Sequence, residues 1–339
     1  MLKKYLTNIG PLPIYKNKKI KHKLLIGKKF NIISFGNKNP NKIFYIIRRD
    51  PGAGLFSNVT VVLNHIMICK KFNFTPVVDM ENFSTIYNEK CKILGTSNAW
   101  EYYFEKINKY NLSEVYKSKN VIISNSDIEH FMIKDMTKKK IRGNFRYIKI
   151  KKKYFQKAEN FYQKNVNRKN KVLGIHFRGS TYKVARGHAF PFNVKIMIKT
   201  IYSLINKYKY DKILLVTEEK KYLNVIKKEF GDKCIYYNSF RMNKQDLFRI
   251  YPRKLHRYRL GEEILVETIL LSKCDGLAYI KSNVISAAIL ISNVKQKYHE
   301  FFLGYNSKNK FISRWLWYFK TILPSYLGGL KIKKFKFNI

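Results

Sequence analysis

The sequence Val172-Leu-Gly-Ile-His-Phe-Arg-Gly179 begins with six mostly apolar residues and ends in a polar turn. A short apolar run bounded by turn signals is typical of a buried strand in a parallel sheet. Apolar residues at helical spacing follow over 193–207, and a second apolar run occupies 212–217. A strand, a helix and a strand in this order predict a βαβ unit, the building block of an α/β fold.

The same alternation continues on both sides of this stretch. The further elements predicted downstream are helices over 219–230, 261–273 and 283–292 and strands over 234–237 and 276–280. Those predicted upstream are an edge strand over 31–36, a strand over 42–48, a helix over 55–72 and a strand over 75–79. Alternation of this regularity predicts doubly wound parallel sheets.

Two Rossmann-like domains and a tail are therefore predicted. Basic, poorly apolar segments near residue 150 favour a junction there, with a first domain at 1–165 and a second at 166–310. The tail, 311–339, combines aromatic residues with five lysines and Arg314. Two interpretations of the tail are open, a segment at a membrane surface and a helix docked on the first domain.

The chain is strongly basic. Its 339 residues include 68 Lys and Arg against 22 Asp and Glu, a formal net charge of +46. Such a surface attracts nucleic acids, anionic membranes or phosphorylated small molecules. The lysines are spread along the whole chain, together with many Ile, Asn, Phe and Tyr residues, which share A/T-rich codons with Lys. A solvated, lysine-coated surface is the favoured interpretation, and no specific nucleic-acid partner is predicted.

The cysteines and the apolar segments of the sequence indicate the cellular compartment of the protein. Cys69, Cys91, Cys234 and Cys274 show no metal-ligand spacing, which favours reduced thiols in a reducing compartment. The N-terminal residues contain no apolar signal segment, and no apolar run reaches about 18 residues. The sequence predicts a cytoplasmic protein, with peripheral binding to the inner face of the plasma membrane as a further option.

Arg178 is the first candidate for a binding residue, because it directly follows a predicted strand. Ligands of open α/β sheets bind at the carboxyl ends of strands, and a guanidinium suits phosphate oxygens. Gly179 would let a ligand approach the backbone closely, and His176 precedes the arginine on the strand. The alternative is a buried structural imidazole at His176 and a surface ion pair at Arg178.

Three further polar sites occur in the predicted elements. Thr217-Glu218-Glu219 lies at the end of a strand, Ser282-Asn283 begins a helix, and Glu267 lies within a helix, beside its apolar face. The alternative for the first two sites is helix capping, and for Glu267 it is a carboxylate that points to water. Because an unpaired charge beside apolar groups is unfavourable, we expect Glu267 to have a partner or a purpose.

A glycine-rich loop joins the first predicted strand to the helix that follows. The loop, Gly52-Ala-Gly54-Leu-Phe-Ser-Asn58, would present backbone N–H groups at a helix N-terminus, where anions bind favourably. No Gly-Lys-Ser/Thr follows, and Ser57 stands in place of the third glycine of a dinucleotide-binding motif. An ordinary turn is the alternative.

Metal-binding patterns are missing from the sequence. The nearest approach to a carboxylate pair is Asp79-Met-Glu81, and no cluster of Cys and His occurs. A metal that holds a diphosphate is therefore not expected, and arginine would take its place. The run Arg253-Lys-Leu-His-Arg-Tyr-Arg259 is a further candidate for such a clamp, with a solvated basic loop as the alternative.

Three blocks in order resemble the C-terminal half of the fucosyltransferase superfamily. The blocks are Gly174-Ile-His-Phe-Arg-Gly179, Leu214-Leu-Val-Thr-Glu218 and Leu265-Val-Glu-Thr-Ile-Leu-Leu-Ser-Lys-Cys-Asp-Gly-Leu277, which is followed by Ser282-Asn283. The superfamily includes bacterial nodulation-factor fucosyltransferases, core α-1,6-fucosyltransferases and protein O-fucosyltransferases. The loop 52–58 is similar to the glycine-rich first loop of these enzymes.

The resemblance implies a GT-B architecture, in which two Rossmann-like domains face a cleft, and an inverting transfer from GDP-fucose without a metal or other cofactor. It implies that Arg178 binds the donor diphosphate and stabilises the charge of the leaving group. His176 would orient the strand end or touch the nucleotide, and Glu267 would meet the guanine or the ribose. Ser282 and Asn283 would bind phosphate oxygens.

The base that activates the acceptor is left open, because the sequence departs from the family after Arg178. Many relatives have an Asp shortly after this arginine, whereas Gly-Ser-Thr-Tyr-Lys183 follows here. His188 on the same loop is one candidate, since an imidazole near its usual pKa suits removal of a hydroxyl proton. Glu218 is the other candidate.

Together, these patterns and the resemblance predict a glycosyltransferase of bacterial surface-polysaccharide or lipooligosaccharide assembly. The expected partners are GDP-fucose or a related GDP-sugar, a glycan or lipid-linked oligosaccharide acceptor, and an anionic membrane surface. The alternatives are a GDP-hexose transferase for another sugar, a basic nucleic-acid-binding protein, and a transferase fold that binds a sugar nucleotide without turnover.

Overall fold

A computed structural model describes the chain over five ranges, which are 32–49, 53–124, 145–179, 182–243 and 247–334. Two compact units are formed, each from two stretches of the chain. The first unit contains Met1–Tyr154 and Ile250–Leu265, and the second contains Phe155–Arg249 and Val266–Ile339. The domain boundaries predicted at residues 165 and 310 stay a proposal.

The first unit contains a three-stranded parallel sheet. Its strands are β1 (Lys38–Ile47), β2 (Thr75–Val78) and β3 (Ser118–Ile123), and its helices include α1 (Leu55–Phe72), α2 (Ala99–Tyr103) and α3 (Leu112–Val115). The strand order is β2-β1-β3, so β1 is the central strand. Phe44 and Ile46 of this strand are fully buried against Val121 and Ile123 of β3.

Helix α1 has the bounds predicted from the sequence, because both of its ends carry a local signal. Gly54 precedes it in an extended conformation, and Asn73 ends it in the left-handed region with a φ of 55°. The strand predicted over 42–48 begins earlier, at Lys38, where the sequence is too polar to be recognised as a strand. Within the described part of the predicted edge strand 31–36, Ile33 forms one isolated bridge.

The second unit follows the predicted alternation over residues 172–292, whereas the helix Lys152–Asn165 and the strands Lys297–Phe302 and Lys333–Lys334 were not predicted. In chain order its elements are α4 (Lys152–Asn165), β4 (Val172–Phe177), α5 (Val194–Tyr208), β5 (Lys212–Thr217), α6 (Lys220–Phe230), β6 (Cys234–Ile235), α7 (His256–Ser272), β7 (Gly276–Tyr279), α8 (Asn283–Ile291), β8 (Lys297–Phe302), α9 (Lys310–Ile322) and β9 (Lys333–Lys334). Helix α4 begins, and helix α7 has its N-terminal part, in residues of the first unit.

These strands form one six-stranded sheet with the order β6-β5-β4-β7-β8-β9. The first five strands are parallel, and β9 is antiparallel to β8. The prediction for β4 and β5 is confirmed residue for residue. Helix α7 begins at His256, earlier than predicted, because its first turn is basic and looked like a loop.

The predicted tail forms helix α9 and the short strand β9. Trp317 of α9 is buried in the core of the second unit, and its Nε1 donates a hydrogen bond of 2.9 Å to the carbonyl of Pro191. The helix is therefore docked on the second unit, which corrects the expected docking on the first domain. Across the described ranges, no helix is both long and apolar enough to cross a membrane.

Candidate functional site

The carboxyl ends of β4, β5 and β7 lie side by side in the second unit. Phe177 at the end of β4 pairs with Thr217 at the end of β5, and His176 pairs with Tyr279 at the end of β7. The segments after these strands, which begin with Arg178 on β4, therefore leave the sheet at one edge. This edge is where parallel α/β sheets bind ligands.

His176 is buried at this edge and contacts the start of helix α8. Its Nδ1 lies 3.3 Å from Ser282 Oγ. Burial, together with the nearby guanidinium of Arg178, lowers the pKa of His176 to about 3. The imidazole is therefore neutral at physiological pH, and it links the ends of β4 and β7 without adding a charge.

Arg178 is half-buried and contacts the loop that carries His188. Its Nη1 donates a hydrogen bond of 3.2 Å to Tyr182 Oη, and its Cζ lies 4.3 Å from the centroid of the same ring. The Tyr182 and His188 rings are in contact, with centroids 4.8 Å apart. None of the ion pairs recorded between described residues involves Arg178. The guanidinium can therefore serve a ligand anion.

A small cleft opens beside Arg178. The ends of β4 and β7, the loop after β4 and the start of α8 all contribute to its walls. The lining residues are His176, Phe177, Arg178, Tyr182, Ala189, Pro191, Phe192, Ile280, Lys281 and Ser282. Two cationic side chains and a helix N-terminus thus meet in one cleft, an arrangement that suits an anionic group.

His188 is exposed on this loop. Partial burial of the ring, together with the nearby positive charge of Arg178, lowers the pKa of His188 below its usual value. The imidazole is consequently mostly neutral at pH 7 and can accept a proton. The backbone around it is held in place, because its carbonyl accepts a hydrogen bond of 2.8 Å from Asn306 N.

Gly179 packs against a buried ion pair. A Cβ atom at this position would overlap the carboxylate of Glu219 and the ring of Tyr222. Lys183 Nζ donates to this carboxylate at 2.7 Å. Burial raises the pKa of Glu219, and Lys183 partly offsets this effect. The glycine therefore makes room for a side-chain pair that joins the loop after β4 to the end of β5.

Thr217 and Glu218 lie at the end of β5, as the sequence predicted. Thr217 is buried, and its Oγ1 accepts a hydrogen bond of 3.2 Å from Glu219 N. Glu218 is half-exposed, and its carbonyl accepts a hydrogen bond of 3.1 Å from Met242 N. The N-cap of the following helix is Glu219, which makes no side-chain capping hydrogen bond, so the contact of Thr217 belongs to the turn before the helix and the capping alternative is wrong here.

Glu267 forms an ion pair with Arg241, so the expectation that this carboxylate has a partner is met. Its Oε1 accepts hydrogen bonds of 2.8 Å from both Arg241 Nη2 and Ser239 Oγ. Arg241 also donates to the backbone carbonyls of Thr217, Ser239 and Tyr237. Both side chains of the ion pair are almost completely buried. A rigid polar network therefore holds Glu267 close to the end of β5.

Ser282 caps helix α8, and Asn283 is the first residue of that helix. The Oγ of Ser282 accepts a hydrogen bond of 3.3 Å from Ile285 N, while Asn283 is exposed. Ser282 lines the cleft with Arg178. The predicted position of these two residues at a helix start is confirmed. Ser282 caps the helix, as the alternative to phosphate binding proposed.

The glycine-rich loop 52–58 belongs to the first unit. Gly52 lies outside the described residues. Asn58 is buried, and its Oδ1 accepts a hydrogen bond of 3.3 Å from Ala53 N. Leu55 N donates to Tyr87 Oη at 2.7 Å. Two of the backbone N–H groups that were expected to bind an anion are therefore already hydrogen-bonded within the protein. The space beside Gly54 is open.

The remaining candidates for diphosphate or metal binding have structural roles. Arg253 donates to both carboxylate oxygens of Glu263. Asp79 accepts hydrogen bonds from Tyr116 Oη and Asn82, and burial raises the pKa of its carboxyl group. Within the described ranges, no group of three His, Cys, Asp or Glu residues could hold a metal ion.

Sequence reasoning missed two residues of this site. Lys183 and Arg241 are two among 68 basic residues, and no local pattern distinguishes them. Glu219 was part of the predicted strand end, but no local pattern shows that it is the buried acid of that pair. Lys183 is identified only by its ion pair with Glu219, and Arg241 only by its ion pair with Glu267.

Comparisons with known structures identify the fold. The chain is similar to NodZ, an α-1,6-fucosyltransferase, in a crystal soaked with GDP-fucose, with a TM-score of 0.51, 16% identity and coverage of 77% of this chain and 95% of that one. NodZ co-crystallised with GDP gives a TM-score of 0.51 at 15% identity and the same coverage. Fucosyltransferase NodZ from Bradyrhizobium gives 0.50 at 15% identity, again over 77% and 95% of the two chains. Neither a scan of protein-family models nor a sequence search of curated proteins finds a match.

The chain thus has an α/β fold of the GT-B-like class. Within this class, its fold is similar to that of the fucosyltransferase NodZ. The expected fold class is confirmed, and so is the resemblance that the three sequence blocks indicated, at the level of the fold.

Proposed function

We propose that this protein is an inverting, metal-independent glycosyltransferase that transfers fucose from GDP-fucose to a hydroxyl group of a glycan. The observation that carries the proposal is the place of Arg178, at the carboxyl end of β4 and in one cleft with the start of α8. Crystals of NodZ, which shares the fold, were prepared with GDP and with GDP-fucose. This supports a GDP-sugar as the donor.

Arg178 is proposed to bind the donor diphosphate. When the bond between the sugar and the diphosphate breaks, negative charge grows on the leaving phosphate oxygens. A guanidinium and a helix N-terminus stabilise such charge if they are already in place. Arg178, Gly179, Ser282 and Asn283 are the residues proposed for this part of the donor site.

The nucleoside end of the donor is proposed to meet Glu267, with His176 and Thr217 at the adjacent strand ends. A carboxylate accepts hydrogen bonds from the N–H groups of guanine or from ribose hydroxyls. Arg241 is then a positioning residue, since it holds Glu267 through an ion pair of 2.8 Å. A contribution of Gly52, Gly54 and Asn58 to donor binding stays a proposal from the resemblance.

His188 is the proposed base. The acceptor oxygen attacks the anomeric carbon, and the bond from that carbon to the phosphate oxygen breaks with its electron pair on GDP. The acceptor proton goes to the neutral imidazole of His188. Attack from the face opposite to the leaving group inverts the anomeric carbon. Glu218 is the alternative acceptor of this proton.

The acceptor is proposed to be a glycan or lipid-linked oligosaccharide of bacterial surface-polysaccharide or lipooligosaccharide assembly, in the cytoplasm. A related GDP-hexose as donor is the alternative. The fold supports a GDP-sugar, and the identity of the sugar follows from the resemblance to fucosyltransferases.

The proposal is tested by Arg178→Ala, with Arg186→Ala as the matched control. Both arginines lie near the loop after β4, but Arg186 is exposed and does not line the cleft. Removal of one donor to a developing anion lowers turnover about 10²–10³-fold. We therefore expect Arg178→Ala to lose this much release of GDP from GDP-fucose and Arg186→Ala to behave as the unsubstituted protein. Equal activity of the two variants would remove Arg178 from the mechanism.

The same assay with EDTA tests the metal-independent mechanism. We expect GDP release to be unchanged after chelation, because Arg178 and the start of α8 supply the charge that a metal would otherwise supply. Inhibition that Mn²⁺ or Mg²⁺ reverses would contradict this part of the proposal.

A further inference from the structure

The outer face of helix α9 is apolar, although it faces solvent. Its six exposed apolar and aromatic side chains are Phe311, Ile312, Trp315, Tyr318, Phe319 and Ile322. At about 100° per residue these side chains fall within an arc of about 120°. Trp315 is 64% exposed, Phe319 62% and Ile322 81%. We call this set the α9 outer face.

This pattern is the reverse of the usual one for a surface helix. A helix that packs by one face normally carries polar residues on the other, yet the buried face of α9 includes Ser313 and the indole of Trp317. The apolar surface continues beyond the helix, where Tyr326 is 84% exposed. Contiguous apolar patches above roughly a few hundred Å² are uncommon on soluble monomers and mark interaction sites.

The α9 outer face is held rigidly in position. Trp317 Nε1 donates to the carbonyl of Pro191 at 2.9 Å, and Asn306 Nδ2 donates to the carbonyl of Ser313 at 2.9 Å. Asn309 caps the helix by accepting hydrogen bonds from two backbone N–H groups of its first turn. The exposed aromatic residues are therefore presented by a fixed scaffold.

The segment that carries this face is entirely positive in charge. Residues 301–339 contain seven lysines and one arginine, and neither Asp nor Glu. Lys308, Lys310 and Arg314 are exposed; Arg314 falls beside the apolar arc, and Lys310 is the first residue of the helix. An apolar helix face flanked by basic residues matches the surface of an anionic bilayer, where aromatic side chains enter the interface and basic ones bind headgroups.

A second copy of this chain fits the face less well. Contact of the face with itself would bring together two copies of a segment that has positive charges and no negative charge to pair with them. Like charges at such a contact repel. We propose that the α9 outer face is a docking surface for an anionic lipid bilayer, on which helix α9 lies flat.

Vesicle flotation tests this proposal with the full chain. The unsubstituted protein is expected to float with vesicles of phosphatidylcholine and phosphatidylglycerol and to stay unbound with phosphatidylcholine alone. Trp315→Ser/Phe319→Ser is expected to weaken binding at least about tenfold, because two aromatic anchors are lost. The control Phe72→Ser/Phe155→Ser removes exposed aromatic surface elsewhere and is expected to bind as before.

Further variants keep the test decisive. Lys310→Gln/Arg314→Gln is expected to weaken binding to the anionic vesicles and to reduce its dependence on salt. Thermal unfolding checks that each variant is folded. If the first variant is not, Ile322→Ser/Tyr326→Ser, at the other end of the patch, takes its place and is expected to lose binding too.

Four outcomes would overturn the proposal. They are no flotation of the unsubstituted protein, equal flotation with the neutral vesicles, unchanged binding of the outer-face variants, and a dimer in light scattering that these variants convert to monomers without any vesicle binding. The last outcome would make the face an interface between copies. None of these readouts depends on a nucleotide, so they are independent of the proposed transferase activity.

Discussion

Two histidines near Arg178, His176 and His188, differ in burial and therefore in how readily they are protonated. His176 is buried, and its pKa falls to about 3, so it stays neutral over the whole useful pH range. His188 is exposed and has a pKa that is lowered by partial burial and by the charge of Arg178. His188 can exchange a proton with solvent because it is exposed, which supports the proposal that His188 is the base.

The pH dependence of turnover tests this assignment. The neutral imidazole is the active form, and its pKa lies below the usual value of about 6.5. The kcat/KM for GDP-fucose is therefore expected to be constant above about pH 6.5 and to fall as the pH decreases through the lowered pKa. His188→Gln should lose about 10²–10⁴-fold in rate, together with this acidic limb.

Glu218→Gln is the comparison for the same profile. It is expected to keep both the rate and the acidic limb, because a different group accepts the proton. A profile that loses its acidic limb in Glu218→Gln and keeps it in His188→Gln would assign the base to Glu218 instead.

At the scale of elements, helix α7 is tied to its neighbours by two ion pairs of different kinds. Glu267 lies within the helix, and its pair with Arg241 is almost completely buried. Lys273 follows the last helical residue, and its pair with Glu159 of α4 is largely exposed. Removal of one partner from a buried pair leaves an uncompensated charge, whereas an exposed charge is solvated by water.

Substitution of the cation in each pair should therefore have unequal effects. Arg241→Met is expected to lower the free energy of unfolding by about 3–5 kcal/mol, and Lys273→Met by less than about 1 kcal/mol. Urea denaturation of both variants measures the difference. Arg241→Met/Glu267→Leu should recover part of the loss, since no buried charge is left alone. Equal, small losses in the two single variants would mean that water solvates Glu267.

At the scale of the whole molecule, the net charge of +46 acts on every polyanion. This long-range attraction is screened by salt over a Debye length of about 10 Å. It cannot distinguish GDP from UDP, since both carry the same diphosphate. Selectivity between the two must come from contacts with the base.

A panel of thermal-shift measurements distinguishes non-specific attraction by the net charge from binding at a nucleotide site. GDP, UDP, CDP, ADP and a DNA oligonucleotide are compared at low and at physiological salt. We expect the shifts with GDP and UDP to decrease by the same factor as salt rises, so that the preference for GDP remains. The shift with DNA should vanish, because it depends on the field alone. A DNA shift that outlasts the GDP shift would favour the alternative of a nucleic-acid-binding protein.

The elements between residues 172 and 292 were accessible to prediction because their signals are local, whereas α4, β8 and β9 were not predicted. The runs Val172–Phe177 and Lys212–Thr217 are apolar throughout their buried lengths, and polar residues delimit them. Predictions were poorer where the local signal conflicts with the tertiary role. The basic start of α7 looked like a loop, and the polar start of β1 did not look like a strand.

The sequence by itself determined the order of strands and helices over residues 172–292, and hence that Arg178, Thr217 and Ser282 lie at strand ends or helix starts. These features depend on the periodicity of apolar residues within a few turns of the chain. Only the tertiary structure decided which polar groups meet. Lys183 pairs with Glu219 across 36 residues and Arg241 with Glu267 across 26. Such pairs form because folding brings distant charges together in a buried place where neither could remain alone, and no local pattern encodes that encounter.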